Sequence, residues 1–210
     1  MSTSWSARPR SVPSRKRSSV IGHILEGITG GWQYRGRLRD LVAQTPASRM
    51  LLDQEPSVLS EQGVRALALD FDGVLAPHAA DQPLPEVTDW LRRAVAVFGV
   101  ERVCILSNRP FGPRVDWFAS QFPGLRFVSG VRKKPYPDGL KKTGELASVP
   151  LSSILMVDDR LLTGCLSALL AGARPLYIRN PYCSFSSHPA KELFFMLLRR
   201  CERLFVRLVP

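Results

Sequence analysis

Two aspartates one residue apart, Asp70 and Asp72, close an apolar run in the stretch ALALDFDGVLAP, and a second pair, Asp158 and Asp159, closes the run SSILMV much later in the chain. Carboxylates this close repel one another and lose hydration when buried, so a fold keeps them where a cation or a reaction uses them. Ser107 and Asn108 follow the apolar run RVCIL, and Lys134 lies in VRKKPYPDG. A cluster of hard oxygen ligands suits Mg²⁺, with water in the remaining positions, and the candidate ligands are Asp70, Asp72, Asp159 and Asp158. For a phosphate ester a division of labour follows. Asp70 attacks phosphorus and forms an aspartyl-phosphate. Asp72, two residues on, protonates the leaving alcohol and then activates water. Ser107, Asn108 and Lys134 hold phosphoryl oxygens, with the ammonium offsetting their charge. Gly73 lets the backbone turn sharply beside the phosphate. Each element alone has an ordinary structural reading, as a turn, a Lys-Pro step or a solvated helix start. Their ordered recurrence carries the argument.

For these residues to meet, the segments between them must be the right elements. Short apolar strands are predicted at Val64–Asp70, Arg102–Ser107, Leu125–Val128, Ser153–Val157 and Arg174–Ile178. Amphipathic helices are predicted between them at Glu86–Phe98, Gly112–Phe122, Pro137–Ala147 and Leu161–Ala171. Regular alternation of strand and helix predicts an α/β fold, a Rossmann-like three-layer sandwich with a mainly parallel sheet. Ligands of such open sheets bind beyond the carboxyl ends of the strands, where the acid pairs, Ser107 and Lys134 all fall.

The segments DFDGVLA, ILSN, KKP and MVDDR, in this order, resemble the four motifs of haloacid dehalogenase-like phosphatases. The resemblance spans residues 64 to 180 and implies Mg²⁺ dependence, with the roles argued above for Asp70, Asp72, Ser107, Lys134 and Asp159. A narrower resemblance joins MVDDRLLTGCLSALLAGARPLYIRNP and KKPYPDGLKKTGEL to the YqeG family, which includes phosphatidylglycerophosphate phosphatases. Four departures stand out. Asp158 replaces a usual Gly, Arg160 a Gln, Gly164 a second Asp, and Gly73-Val74 an Asn-Thr.

Neither the interval between Asp70 and Ser107 nor that between Ser107 and Lys134 can house a cap domain of about 50 residues, so a capless, open site is expected. Such a site suits a phosphate presented on a lipid, and the narrower resemblance points to phosphatidylglycerophosphate. A nucleic acid end, a phosphoprotein or a soluble ester would be an alternative, as would a non-catalytic binding protein that keeps the fold. The net charge of +11 sits mostly at the ends, with five basic residues and no acid in residues 1–25. Basic ends suit an anionic membrane surface better than a nucleic acid groove.

Four units are expected: a basic tail over 1–20, an irregular or helical segment over 21–62 with breaks at Gly30-Gly31, Pro46 and Pro56, the phosphatase-like domain over 63–182, and a helix over 188–210. Phe194, Leu197, Leu198, Cys201, Leu204, Phe205 and Leu208 share one face of that last helix, and Arg199, Arg200, Arg203 and Arg207 the opposite one. Either the apolar face lies on a membrane or it packs on the sheet domain with the arginines in water. No segment is long and apolar enough to span a bilayer, so a cytoplasmic, peripherally attached protein is expected, or one directed to an organelle by its basic amino-terminal segment. Cys104 and Cys165 read as core residues, and His23, His78 and His188, far apart in sequence, as neither metal ligands nor catalytic bases. Oligomeric state leaves no trace in the sequence.

Overall fold

The computed structural model describes residues 20–108 and 112–208. The tail over 1–20 therefore lies almost wholly outside the described residues. Five parallel strands, β1 (Ala66–Leu69), β2 (Val103–Ile105), β3 (Arg126–Phe127), β4 (Ile154–Asp158) and β5 (Arg174–Tyr177), form one sheet in the order β3-β2-β1-β4-β5. Both faces are covered, which is why the central strands read as unbroken apolar runs. Leu67, Leu69, Val103, Ile105, Leu155 and Val157 point into one core with α4 (Pro85–Phe98) and α5 (Gly112–Gln121). The alternate residues Ala66, Ala68, Cys104, Ile154 and Met156 point into the other, with α6 (Asp138–Ala147). The three-layer α/β fold is thus the one expected, and Cys104 and Cys165 are buried. Among the described residues no domain is inserted between the strands.

The strand order reverses between β1 and β4, whose register pairs Leu69 with Val157. That crevice is where a doubly wound sheet binds its ligand. It brings the two acid pairs side by side: the Asp70 N–H donates to the Val157 carbonyl at 2.9 Å.

Before the sheet come α1 (Val20–Gln33), α2 (Arg35–Gln44) and α3 (Pro56–Glu61). The break expected at Gly30-Gly31 does not occur, and α1 runs through both glycines. Packing decides this. A Cβ on Gly31 would stand 2.7 Å from Leu162 Cδ2 and 3.2 Å from Phe205 Cε1, so the glycines let α1 approach its neighbours rather than end it. The segment expected as one helix over Leu161–Ala171 begins with a wide π turn, Leu161–Cys165, and continues as α7 (Leu166–Ala171).

The last helix, α8 (Pro189–Leu208), packs beside α2 and the π turn through Val206 and Phe205, but not in the orientation expected of a helix packed by its apolar face with the arginines in water. Its buried residues are Glu192, Arg199, Glu202 and Val206. Leu193, Phe194, Leu197, Leu204 and Leu208 face outward, from 47% exposed at Leu193 to 70% at Leu208. The bulk of the leucine face does not pack on the domain, and Arg199 does not share the solvent with Arg200.

Candidate active site

Asp70, Asp72, Ser107, Asn108, Lys134 and Asp159 line a single cavity at the β1/β4 crevice, joined by His78, Arg160, Thr163 and Phe195. Residues expected from strand ends are therefore brought together, although they come from four separate loops. Asp158 lies directly behind the cavity wall, fully buried.

Lys134 is the centre of the charge arrangement. Its Nζ lies 2.6 Å from Asp158 Oδ2 and 3.0 Å from Asp70 Oδ1, and its backbone N–H donates to Asn108 Oδ1 at 2.9 Å. Burial alone would push the ammonium towards its neutral form, but the Asp158 and Asp70 carboxylates more than offset this and keep it charged. Burial raises Asp70 to about 6 against the opposing pull of Lys134. Asp159 also rises to about 6 through burial, opposed by Arg199.

Asp70, Asp158 and Asp159 each bring one oxygen within 4.8 Å of the others, a spacing that one small cation can bridge. The fit to Mg²⁺ rests on donor chemistry: carboxylate oxygens only, all three made less acidic by burial that a divalent charge would relieve. Asp70 and Asp159 would hold such an ion from the two sides of the crevice. Protonated carboxyls do not bind metal, and raised values mean these groups are largely protonated at pH 5 and ionised at pH 7.5. Their burial therefore favours the metal-free fold below the ordinary carboxylate range and costs stability as pH rises through about 6. Mg²⁺ is expected to raise the melting temperature by several degrees at pH 7.5 and hardly at all at pH 5, as scanning calorimetry at both pH values would show. Equal shifts would mean that these carboxylates do not hold the ion.

Asp72 is placed differently. Its carboxylate is outside the three-oxygen cluster and turns onto Arg114 of α5, whose Nη2 and Nη1 donate to it at 2.7 and 3.3 Å. Burial pushes Asp72 up, and the Arg114 guanidinium outweighs it, leaving the carboxyl below its ordinary value. Arg114 is itself buried, donates to the Ala80 carbonyl at 2.8 Å and lies 3.8 Å over the Phe71 ring. Gly73 has φ +82°, and a Cβ there would stand 2.6 Å from Asp159 Oδ2, so both conformation and space demand glycine.

The inner face of α8 supplies what the sequence reading missed. Arg199 Nε donates to Asp159 Oδ2 at 2.5 Å, Glu192 accepts the His78 Nδ1–H at 3.0 Å and its backbone N–H at 3.1 Å, and Glu202 pairs with Arg160 and accepts the Leu161 N–H at 2.9 Å. His78, read from sequence as a bystander, stacks on Phe195 at 4.0 Å and lines the cavity. It is held neutral chiefly by burial, against the pull of Glu192. A signal for this face was present: Glu192, Arg199, Glu202 and Val206 recur at seven-, three- and four-residue steps, which is one side of a helix. Arg114 left none, since nothing in GPRVDWF ties it to a residue on another element.

A capless, doubly wound α/β protein with an acidic cavity at its switch point is the class that fold and site define. No family model and no curated protein matches the chain. Among solved structures it is similar to an uncharacterized protein from Corynebacterium glutamicum ATCC 13032 Kitasato, with 22% identity over 65% of this chain and 94% of that one and a TM-score of 0.43. It is also similar to a HAD family hydrolase from Deinococcus radiodurans R1 with bound phosphate and sodium, with 17% identity over 54% of this chain and 80% of that one and a TM-score of 0.36. Likeness at this level carries no functional argument, which has to come from the cavity.

Proposed function

We propose that the chain is a Mg²⁺-dependent phosphomonoesterase of the haloacid dehalogenase-like type, acting on a phospholipid at an anionic membrane surface. The observation that carries the chemistry is Lys134 clamped between Asp70 and Asp158 in a cavity that Asp72, Ser107 and Asp159 share. An Asp70 oxygen attacks phosphorus and the bond to the alcohol oxygen breaks, giving an aspartyl-phosphate. Asp72, ionised beside Arg114, collects the proton of a monoanionic ester and passes it to the departing alkoxide. In the second step Asp72 takes a proton from water, whose oxygen attacks phosphorus, releasing phosphate and restoring Asp70. Ser107, Asn108 and Lys134 hold the phosphoryl oxygens throughout. A bound Mg²⁺ supplies charge neutralisation of the phosphoryl group and its alignment with Asp70.

The lipid reading is supported by α8. Its outward leucine stripe is bordered by exposed Arg200 and Arg207, and α1 adds exposed Leu25, Ile28 and Trp32. Apolar residues flanked by arginine on one helix face suit insertion into an anionic interface. Phe195, on the same helix, lines the cavity. No described helix is long and apolar enough to cross a membrane. Phosphatidylglycerophosphate is the lipid to try first.

The test is phosphate release from phosphatidylglycerophosphate in mixed micelles, with and without Mg²⁺, beside a soluble phosphomonoester. Mg²⁺-dependent release with a strong lipid preference is expected. Replacing Leu193, Leu197 and Leu204 together by Ser should weaken binding to anionic vesicles by about tenfold or more, given about 1.4 kcal/mol per tenfold and partial burial of three leucines. Turnover of the soluble ester should stay unchanged. Release from the soluble ester alone would keep the chemistry and remove the lipid.

A further inference from the structure

The two ring nitrogens of His78 have different surroundings. Glu192 is fully buried and its oxygens divide their partners: Oε1 accepts the backbone N–H of His78 at 3.1 Å and that of Ser184 at 3.2 Å, while Oε2 accepts the His78 Nδ1–H at 3.0 Å. Phe195 stacks on the ring at 4.0 Å with 13° between the planes, which fixes the ring's tilt. A carboxylate only accepts, so the neutral ring keeps its proton on Nδ1 and Nε2 carries a lone pair. Among the described residues Nε2 has no hydrogen-bond partner, yet it is not one of the sealed polar atoms, although His78 is only 5% exposed. The space left to it is the cavity that the ring lines.

An open lone pair does not suit a phosphoryl group. Phosphoryl oxygens are acceptors, served by the donors Ser107, Asn108 and Lys134, and the one proton of a monoanionic ester goes to Asp72. What fits Nε2 is an O–H on the alcohol half of the substrate. The Ala79 N–H approaches Asp72 Oδ1 at 3.4 Å, so the residue next to His78 touches the group that serves the ester oxygen. The ring therefore stands near the first carbons of the alcohol.

We propose that His78 is a specificity-determining residue whose Nε2 accepts a hydrogen bond from a hydroxyl close to the ester oxygen, with Glu192 the positioning residue that keeps Nε2 an acceptor. The substrate class is then the phosphate ester of a polyol. The proposal rests on the phosphatase reading and deepens it. A polyol carried by a lipid and a free one share this chemistry, and comparing phosphatidylglycerophosphate in micelles with a free polyol phosphate separates the two sources.

The test uses three soluble esters that differ at one carbon: propyl phosphate, its analogue with a hydroxyl on the second carbon, and the corresponding ketone. The parent is expected to favour the hydroxyl ester over propyl phosphate by about tenfold in kcat/KM, the scale of one hydrogen bond in a closed site. The ketone should do no better than propyl phosphate, because its carbonyl meets a lone pair. His78→Phe keeps a ring against Phe195 and should bring the hydroxyl and propyl esters to within about twofold of each other. Glu192→Gln tests the positioning role. Its amide oxygen is needed by the two backbone N–H groups, which leaves the amide nitrogen facing Nδ1 and moves the ring proton to Nε2. The ketone-to-propyl ratio should then rise by about tenfold, a gain that a merely structural role for Glu192 would not produce. Ratios taken within one preparation do not depend on how much of a variant is folded.

Binding of the same esters to the Asp70→Asn protein with Mg²⁺, measured by calorimetry, gives a readout without turnover. If the parent hydrolyses none of the three, yet the hydroxyl preference is present in binding and His78→Phe removes it, the phosphatase reading fails and the assignment of His78 stands. A parent that treats the hydroxyl and propyl esters alike, one that prefers the ketone, or one that binds none of them would overturn the proposal. So would an equal loss on both esters in His78→Phe, because His78 would then serve the phosphoryl group or the attacking water.

Discussion

Asp70→Asn is expected to reduce phosphate release by on the order of 10⁴-fold or more while leaving the fold intact, because it removes the nucleophile and little else. The fold survives because Lys134 keeps its shorter contact, 2.6 Å to Asp158, when the 3.0 Å contact to Asp70 loses its charge. Burial also raises Asp70 to about 6, so a neutral amide at this position is spared a desolvation cost that the carboxylate bears at neutral pH. The melting temperature should therefore hold or rise slightly. Circular dichroism and a turnover assay on the same sample would check both halves. Substantial remaining activity in a folded variant would remove the covalent mechanism.

Arg199→Met is expected to produce the largest stability loss of any arginine substitution on α8. Arg199 is 4% exposed and pairs with Asp159, which is 2% exposed, so deleting the guanidinium leaves a buried carboxylate without its cation. Breaking such a pair from one side costs about 3–5 kcal/mol, which for a domain of this size lowers the melting temperature by on the order of 10 °C at neutral pH. Mg²⁺ should return part of the loss by supplying the missing charge beside Asp159. Arg200→Met, one residue along and exposed, should change the melting temperature by less than about 2 °C. Thermal melts of both variants decide the matter. Equal behaviour would mean that α8 does not present Arg199 to the site.

The contrast between these neighbours marks how far the sequence was legible. The sheet could be read because β1, β2 and β4 are buried on both faces and end abruptly in polar residues, a pattern with few other causes. The positions of Asp70, Ser107, Lys134 and Asp159 followed from strand polarity alone. The orientation of α8 did not follow. Periodicity sorts residues into faces without saying which face turns inward, and the usual rule assumes an apolar surface to pack against. Here the receiving surface presents His78, Asp159 and Arg160, so the charged face is the complementary one. The helix through Gly30 and Gly31 was missed for a related reason, since glycine's penalty was outweighed by contacts with Leu162, Leu166 and Phe205, distant in sequence.

The two ion pairs and the His78–Glu192 hydrogen bond under α8 act as a choice between rotations. Turned about its axis by half a revolution, the helix would bury Leu193, Leu197, Leu204 and Leu208, a gain in apolar burial that hydrophobicity alone would favour. It would also strand Asp159 and Arg160 without their countercharges, several kcal/mol for each broken pair, and leave His78 without its hydrogen-bond acceptor. The charges thus select the less greasy packing and hold the leucines out. Evolution or an engineer could then rewrite the outer face, to tune how strongly the protein adheres and to what, without disturbing the carboxylates beneath it.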